Sequence, residues 1–306
     1  MNPDIILPNN PEFSGMAVMN DEMTFECEGQ TQRMTLIMPG KMAREENKTR
    51  FPLVVFLQGS GWTAPNRFAQ LPQLCAYAQK GIAVASITHR NSLDGNPFPA
   101  YLKDAKAAIR YLRSRAEELK IDENRIAFFG TSSGGNTALL VGLTGDDERY
   151  LTEDYKGYSD QVACVVDCFG PSDLIQFEGS PLPPLTQDER LPDQETLKAL
   201  YQDRDQGMLD ILFALFGSQD AMAVLKAMSP ILEIKPGKQY PPFLIVQGSA
   251  DDVVPMSQSV KMHQALKDAC QNSTLVEITN AEHEGTFWSD DLHTLIFEFL
   301  KTNLGA

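Results

Sequence analysis

Ser132 stands between two glycines, in Gly130-Thr131-Ser132-Ser133-Gly134. A serine hydroxyl is a poor nucleophile at neutral pH. It needs a base to take its proton and an acid to orient that base. The G-x-S-x-G frame is one way to present such a hydroxyl, on a tight turn between a strand and a helix. Ser133 would need glycine at 131, where threonine stands, so Ser132 is the one serine here that fits the frame. By composition the motif turns up by chance about once in ten chains of this length, so its flanks must carry weight. Residues 124–129 read as a buried strand and 136–141 as the start of a helix. A phosphate-cradling loop would also be Gly-rich, but no lysine follows as in a P-loop.

The partners follow in the order Ser, Asp, His, each just after a late strand-like segment. Asp251 lies in Gly248-Ser249-Ala250-Asp251-Asp252-Val253-Val254-Pro255, after the segment 242–247. His283 lies in Asn280-Ala281-Glu282-His283-Glu284-Gly285, after 274–279. Of the other histidines, His263 and His293 fall in helical patterns and His89 precedes the serine. Asp251 fits the G-x-x-D-x-x-V-P spacing, with the adjacent Asp252 as the alternative acid. Asp167 and Asp173 are further conceivable acids, better suited to tying down loops.

Backbone amides should hold the oxyanion. The expected donors are Ser133, which opens the helix, with Ser60 and Gly61 from Gln58-Gly59-Ser60-Gly61-Trp62. Trp62 either walls an acyl pocket or packs as an aromatic beneath a cap. The chemistry is two-step acyl transfer to and from Ser132, and it calls for no metal and no cofactor.

Positioning these loops takes an α/β protein. Strand-like and helix-like segments alternate, which predicts a mostly parallel central sheet flanked by helices. Residues 22–38 read as two antiparallel edge strands. Strands are expected at 53–57, 82–87, 161–168, 242–246 and 274–278. Helices are expected at 69–79, 100–120, 257–270 and 289–303. In 100–120, Leu102, Ala105, Ile109, Leu112, Ala116 and Leu119 recur every three or four residues. Residues 175–228 break the rhythm with four prolines and two helical patterns, at 195–202 and 207–226. They are expected to form a small inserted cap within a single domain spanning 1–306.

At 306 residues and 42% hydrophobic, the chain can bury a large core. A net charge of −15 disfavours nucleic acid or an anionic membrane as partner. The five cysteines read as reduced thiols. Residues 1–6 carry no basic n-region or long apolar run, and no run reaches membrane-spanning length. A cytoplasmic protein with a small-molecule substrate is expected. The apolar, Pro-containing first 20 residues could form an arm over the site or across a homodimer.

With these residues in view, the chain resembles the serine esterases of the α/β-hydrolase fold. It is most similar to the bacterial feruloyl/acetylxylan esterase-like (BD-FAE-like) group, related to the carboxylesterase and hormone-sensitive-lipase branch. The resemblance runs over about residues 50–300. It includes Phe98-Pro99-Ala100 with Asp104, Ile121-Asp122-Glu123-Asn124-Arg125-Ile126, Phe169-Gly170-Pro171-Ser172-Asp173-Leu174 and Ser229-Pro230. It implies hydrolysis of small acyl or aryl esters such as acetylated or feruloylated sugars. Four positions depart from the group's habit: Gln58 and Gln247 where His is usual, Ser60 where Gly is usual, and His89 where Tyr is common. The same triad also serves serine peptidases of the prolyl-oligopeptidase type, and acyltransferases. The peptidases normally add a propeller or an acidic pair that grips a peptide amine, and no propeller is evident here. A non-catalytic binding protein on this fold usually lacks a triad member, and all three are present.

Overall fold

The computed structural model describes residues 3–11, 15–40, 49–178, 182, 192–200 and 205–306. An eight-stranded sheet runs through it in the order β1-β2-β4-β3-β5-β6-β7-β8. The strands are β1 Ala17–Cys27, β2 Gln30–Pro39, β3 Phe51–Leu57, β4 Ala83–Ile87, β5 Ile121–Thr131, β6 Cys164–Cys168, β7 Phe243–Gly248 and β8 Ser273–Ile278. From β4 to β8 all neighbours are parallel, while β1 and β2 run antiparallel. The fold is that of the α/β hydrolases.

The first two strands differ from expectation. Only β1 is an edge; β2 lies between β1 and β4, pairing Met34 with Ile87 and Ile37 with Val84. Its six C-terminal residues are accordingly all buried. Residues 3–10 are exposed, with Ile5, Ile6 and Leu7 at about 80%.

Helices cover both faces. Helices α1 (Leu71–Gln79) and α8 (Asp290–Leu304) pack Leu74, Ile296 and Leu300 on Val54, Phe129 and Val246. Helices α2 (Ala100–Ser114), α3 (Ser133–Leu143) and α7 (Met256–Asp268) cover Leu53, Val55, Phe128 and Ile245. Alternation along each strand sends successive side chains to opposite helix layers, so these strands are apolar on both faces.

Helix α2 stops at Ser114, short of the expected 120, and it is buried nearly all round. Its Lys106 and Arg110 turn inward onto one buried carboxylate, Asp160, each at 2.7 Å. Asp104 on the same helix takes the Arg90 side chain at 2.9 Å, which ties α2 to the end of β4.

Between β6 and β7 lie α4 (Gln194–Leu200), α5 (Gln206–Phe216) and α6 (Ala221–Ala227). The single pattern expected over 207–226 is two helices bent by 92°. Gly217, at φ 57°, ends α5, and the Asp220 side chain caps α6 by accepting from the Ala223 amide. Residues 179–181, 183–191 and 201–204 of the expected cap lie outside the described residues.

The chain leaves β3 for β4 on one side and returns to β5 on the other. Adjacent parallel strands whose connections diverge leave a crevice at their C-terminal ends. The loops after β3 and β5, carrying residues 58–62 and 132–134, meet there.

Candidate active site

The turn after β5 is held open by contacts that only glycine permits. A β-carbon on Gly130 would lie 1.9 Å from the Gly134 carbonyl oxygen, and one on Gly134 would lie 2.2 Å from that of Leu57. Both contacts are with backbone, which cannot swing aside. Ser132 sits at the apex with φ 52° and ψ −122°, a conformation that side-chain-bearing residues rarely adopt. Its amide is anchored to the Cys168 carbonyl at 2.9 Å. Gly130→Ala is therefore expected to cost the folded protein about 4 kcal/mol or more. That corresponds to roughly 10 °C or more in Tm at this size. A thermal melt of the variant checks it, and a Tm within two degrees of wild type would contradict the packing argument.

Three side chains from three strand ends meet at this turn. His283 Nε2 lies 3.1 Å from Ser132 Oγ, and its Nδ1 lies 2.8 Å from Asp251 Oδ2. With Nδ1 donating to the carboxylate, Nε2 is left to accept the serine proton. The Phe169 ring packs edge-on against the imidazole with centroids 4.6 Å apart. The other oxygen of Asp251 accepts from the amides of Val253 and Val254, at 2.9 and 2.8 Å. Burial alone would raise the Asp251 carboxyl. The hydrogen bond from His283 and the Val254 and Val253 amides outweigh it and hold the group below the usual carboxylate range.

The other candidate acids stand elsewhere. Asp252 is exposed, while the Asp251 side chain is fully buried. Asp167 is buried under the helix that follows the serine. Burial pushes its carboxyl well above the usual range against a single amide bond from Gly170. Asp173 accepts from the amides of Ile175 and Gln176 and so braces its own loop.

The expected oxyanion donors do not all come together. Gly61 and Ser133 line the crevice beside Ser132. Ser133 is the first residue of α3, where amides have no partner within the helix. The Ser60 amide, however, donates to the Ser133 side-chain hydroxyl at 2.9 Å. That bond spends the donor on bracing the loop, so Ser60 leaves the set. Gln58 also acts as a brace, its side-chain oxygen accepting from the Asn66 amide at 2.8 Å.

Trp62 is buried and forms part of the wall of an apolar cavity of about 60 Å³ beside Ser132. Leu174, Met208, Leu212, Leu225 and Val254 complete most of that wall. Met208 and Leu212 come from α5 and Leu225 from α6, so the segment between β6 and β7 closes the site from above. The sequence carried no signal for these three individually, because cap helices show only that one face is apolar. Gln247 is a departure from the family pattern to which the sequence assigns no role. Its visible signal is an amide at the end of an otherwise apolar strand.

Comparison with known proteins gives the family. Residues 42–266 match the family model described as BD-FAE. The chain belongs to the BD-FAE family. It is 27% identical over 234 residues to Esterase LipC of Mycobacterium tuberculosis, covering 76% of this chain and 52% of that protein. The chain spans about half the length of the curated relatives it matches first, with 52% of LipC and 50% of LipQ covered. Among solved structures, a truncated carbohydrate esterase from gut microbiota superposes with a TM-score of 0.71 at 27% identity. That match covers 97% of this chain and 99% of the other. A thermophilic esterase from Thermogutta terrifontis shares the fold at a TM-score of 0.69 and 24% identity, over 95% of this chain and 94% of its own.

Proposed function

We propose that this BD-FAE family member is a serine esterase that removes short acyl groups, foremost acetyl, from small esters such as acetylated sugars. The observation that carries the proposal is the continuous hydrogen-bonded chain from Ser132 through His283 to Asp251. His283 takes the Ser132 proton as the hydroxyl attacks the ester carbonyl. The amides of Gly61 and Ser133 hold the oxyanion. His283 then protonates the departing alcohol, and water repeats the sequence in reverse on the acyl-enzyme. The names of the relatives and of the solved structures support ester hydrolysis as the reaction class.

The size of the cavity supports a short acyl group. At about 60 Å³ it is well under the volume of a dry cavity that admits benzene, about 150 Å³. A feruloyl acyl group carries a substituted benzene ring and a propenoyl arm, so this favours acetyl over feruloyl.

Three measurements test the proposal. An organophosphate should label Ser132 covalently, as read by peptide mass spectrometry; no label at Ser132 would end the serine-esterase reading. Across p-nitrophenyl esters, kcat/KM should be highest for acetate or propionate. It should then fall about tenfold per added methylene as the cavity overfills. A flat profile out to octanoate, or methyl ferulate outpacing acetylated xylo-oligosaccharides, would reject the short-acyl assignment. Release of free acetate to water, rather than transfer to an added alcohol, separates hydrolase from acyltransferase.

A further inference from the structure

The acid loop is built around a side chain with no place yet in the chemistry. Gln247 is the penultimate residue of β7 and is fully buried. Its Nε2 donates to Asp251 Oδ2 at 2.8 Å and to the Val254 carbonyl at 2.9 Å. Its Oε1 accepts from the Ser259 hydroxyl of α7 at 2.9 Å. The Val254 carbonyl, which can only accept, fixes which way the amide faces, and the Ser259 hydroxyl donates to the Oε1 on its other side. Four donors then converge on Asp251. The Val253 and Val254 amides take Oδ1, and Gln247 shares Oδ2 with His283.

We infer that Gln247, oriented by the Val254 carbonyl and braced by Ser259, is a positioning residue that fixes the Asp251 carboxylate against His283 and moderates its pull on the imidazole. The inference rests on reading Ser132, His283 and Asp251 as the catalytic group. Its physical basis is competition for one oxygen. A carboxylate oxygen that accepts two strong hydrogen bonds has less charge left for either partner. A carboxamide stays neutral and donates across the whole working range of pH, so it fills this role without itself titrating.

Two consequences follow, with opposite signs. Without the Gln247 donor, Asp251 is less firmly placed, so kcat falls. Its oxygen also holds the protonated imidazole more strongly, so the acid limb of the kcat/KM profile moves to higher pH. A residue that merely filled space would lower kcat without moving the limb. The ionisable neighbours of the pair in the chain are Asp252, Glu282 and Glu284. Phe169 faces the imidazole from the end of β6 and Ser132 faces it from the turn after β5. Substitution at 247 or 259 alters none of these groups.

The experiment compares wild type, Gln247→Met and Ser259→Ala, each titrated for active sites with an organophosphate before kinetics. Gln247→Met keeps the shape and removes both donor bonds. It is expected to lower kcat about 10- to 100-fold, as for a hydrogen bond to a charged group. KM for p-nitrophenyl acetate should be unchanged, and the acid limb should move up by roughly half to one pH unit. Ser259→Ala removes the brace on Oε1 and holds the amide less firmly, so it should move kcat and the limb in the same directions by less. If Gln247→Met does not fold, Ser259→Ala decides alone. An acid limb that stays in place in the folded variants overturns the inference, whatever happens to kcat. Absence of labelling at Ser132 in wild type would instead remove the catalytic reading beneath it, so the two failures are distinguishable.

Discussion

Ser132→Ala is expected to lower kcat for p-nitrophenyl acetate by about a million-fold while leaving the fold in place, as removal of the serine nucleophile does in other serine hydrolases. The Ser132 hydroxyl reaches His283 at 3.1 Å, and its removal leaves no buried donor without water, because the site opens on the crevice. The backbone at 132 is held at φ 52° by Gly130, Gly134 and the Cys168 carbonyl, none of which the substitution touches. Alanine tolerates that conformation no better and no worse than serine, so Tm should move by only a few degrees. Residual turnover of about 10³-fold over water would come from the oxyanion amides and binding alone. Unchanged kcat in a folded variant would show that Ser132 is not the nucleophile.

The nucleophile was legible from five residues because everything that defines it is local. Gly130, Ser132 and Gly134 are spaced by the turn itself, and the flanking strand and helix announce themselves by their apolar runs. The histidine followed by elimination and chain order. The acid was harder, since Asp251 and Asp252 differ by one position and no periodicity separates them. What separates them is direction: the loop folds one carboxyl onto the Val253 and Val254 amides and leaves the other in water. That depends on backbone torsions that the sequence does not print.

The misread features have a common cause. Ser60 was expected to aim its amide at the substrate, but Ser133 claims it from 73 residues away. The apolar spacing of 100–120 says nothing of Lys106 and Arg110, and Asp160 draws both inside. The pattern over 207–226 looked like one helix because both halves are apolar on a face, and Gly217 breaks it. Hydrophobic periodicity records which residues avoid water. It carries nothing about polar pairs that satisfy each other across the chain, and those pairs set the fine geometry of this site.

Asp251→Asn should lower kcat by about 10⁴-fold, less than loss of the nucleophile, while Asp252→Asn should stay within a few-fold of wild type. The substitution is nearly isosteric, so the argument is about hydrogens. At position 251 one side-chain oxygen meets two backbone amides and therefore has to be an acceptor. An asparagine satisfies them only by placing its carbonyl there, which puts its NH₂ at the position of Oδ2. That NH₂ then faces two donors, His283 Nδ1 and Gln247 Nε2. For His283 the escape is to move its proton from Nδ1 to Nε2, after which it can no longer take one from Ser132. For Gln247 the escape is to rotate its amide, which lets the Ser259 hydroxyl accept from its NH₂ but sets its oxygen against the Val254 carbonyl. Steady-state kinetics of the two asparagine variants checks the assignment: equal activity in both would return Asp252 to contention.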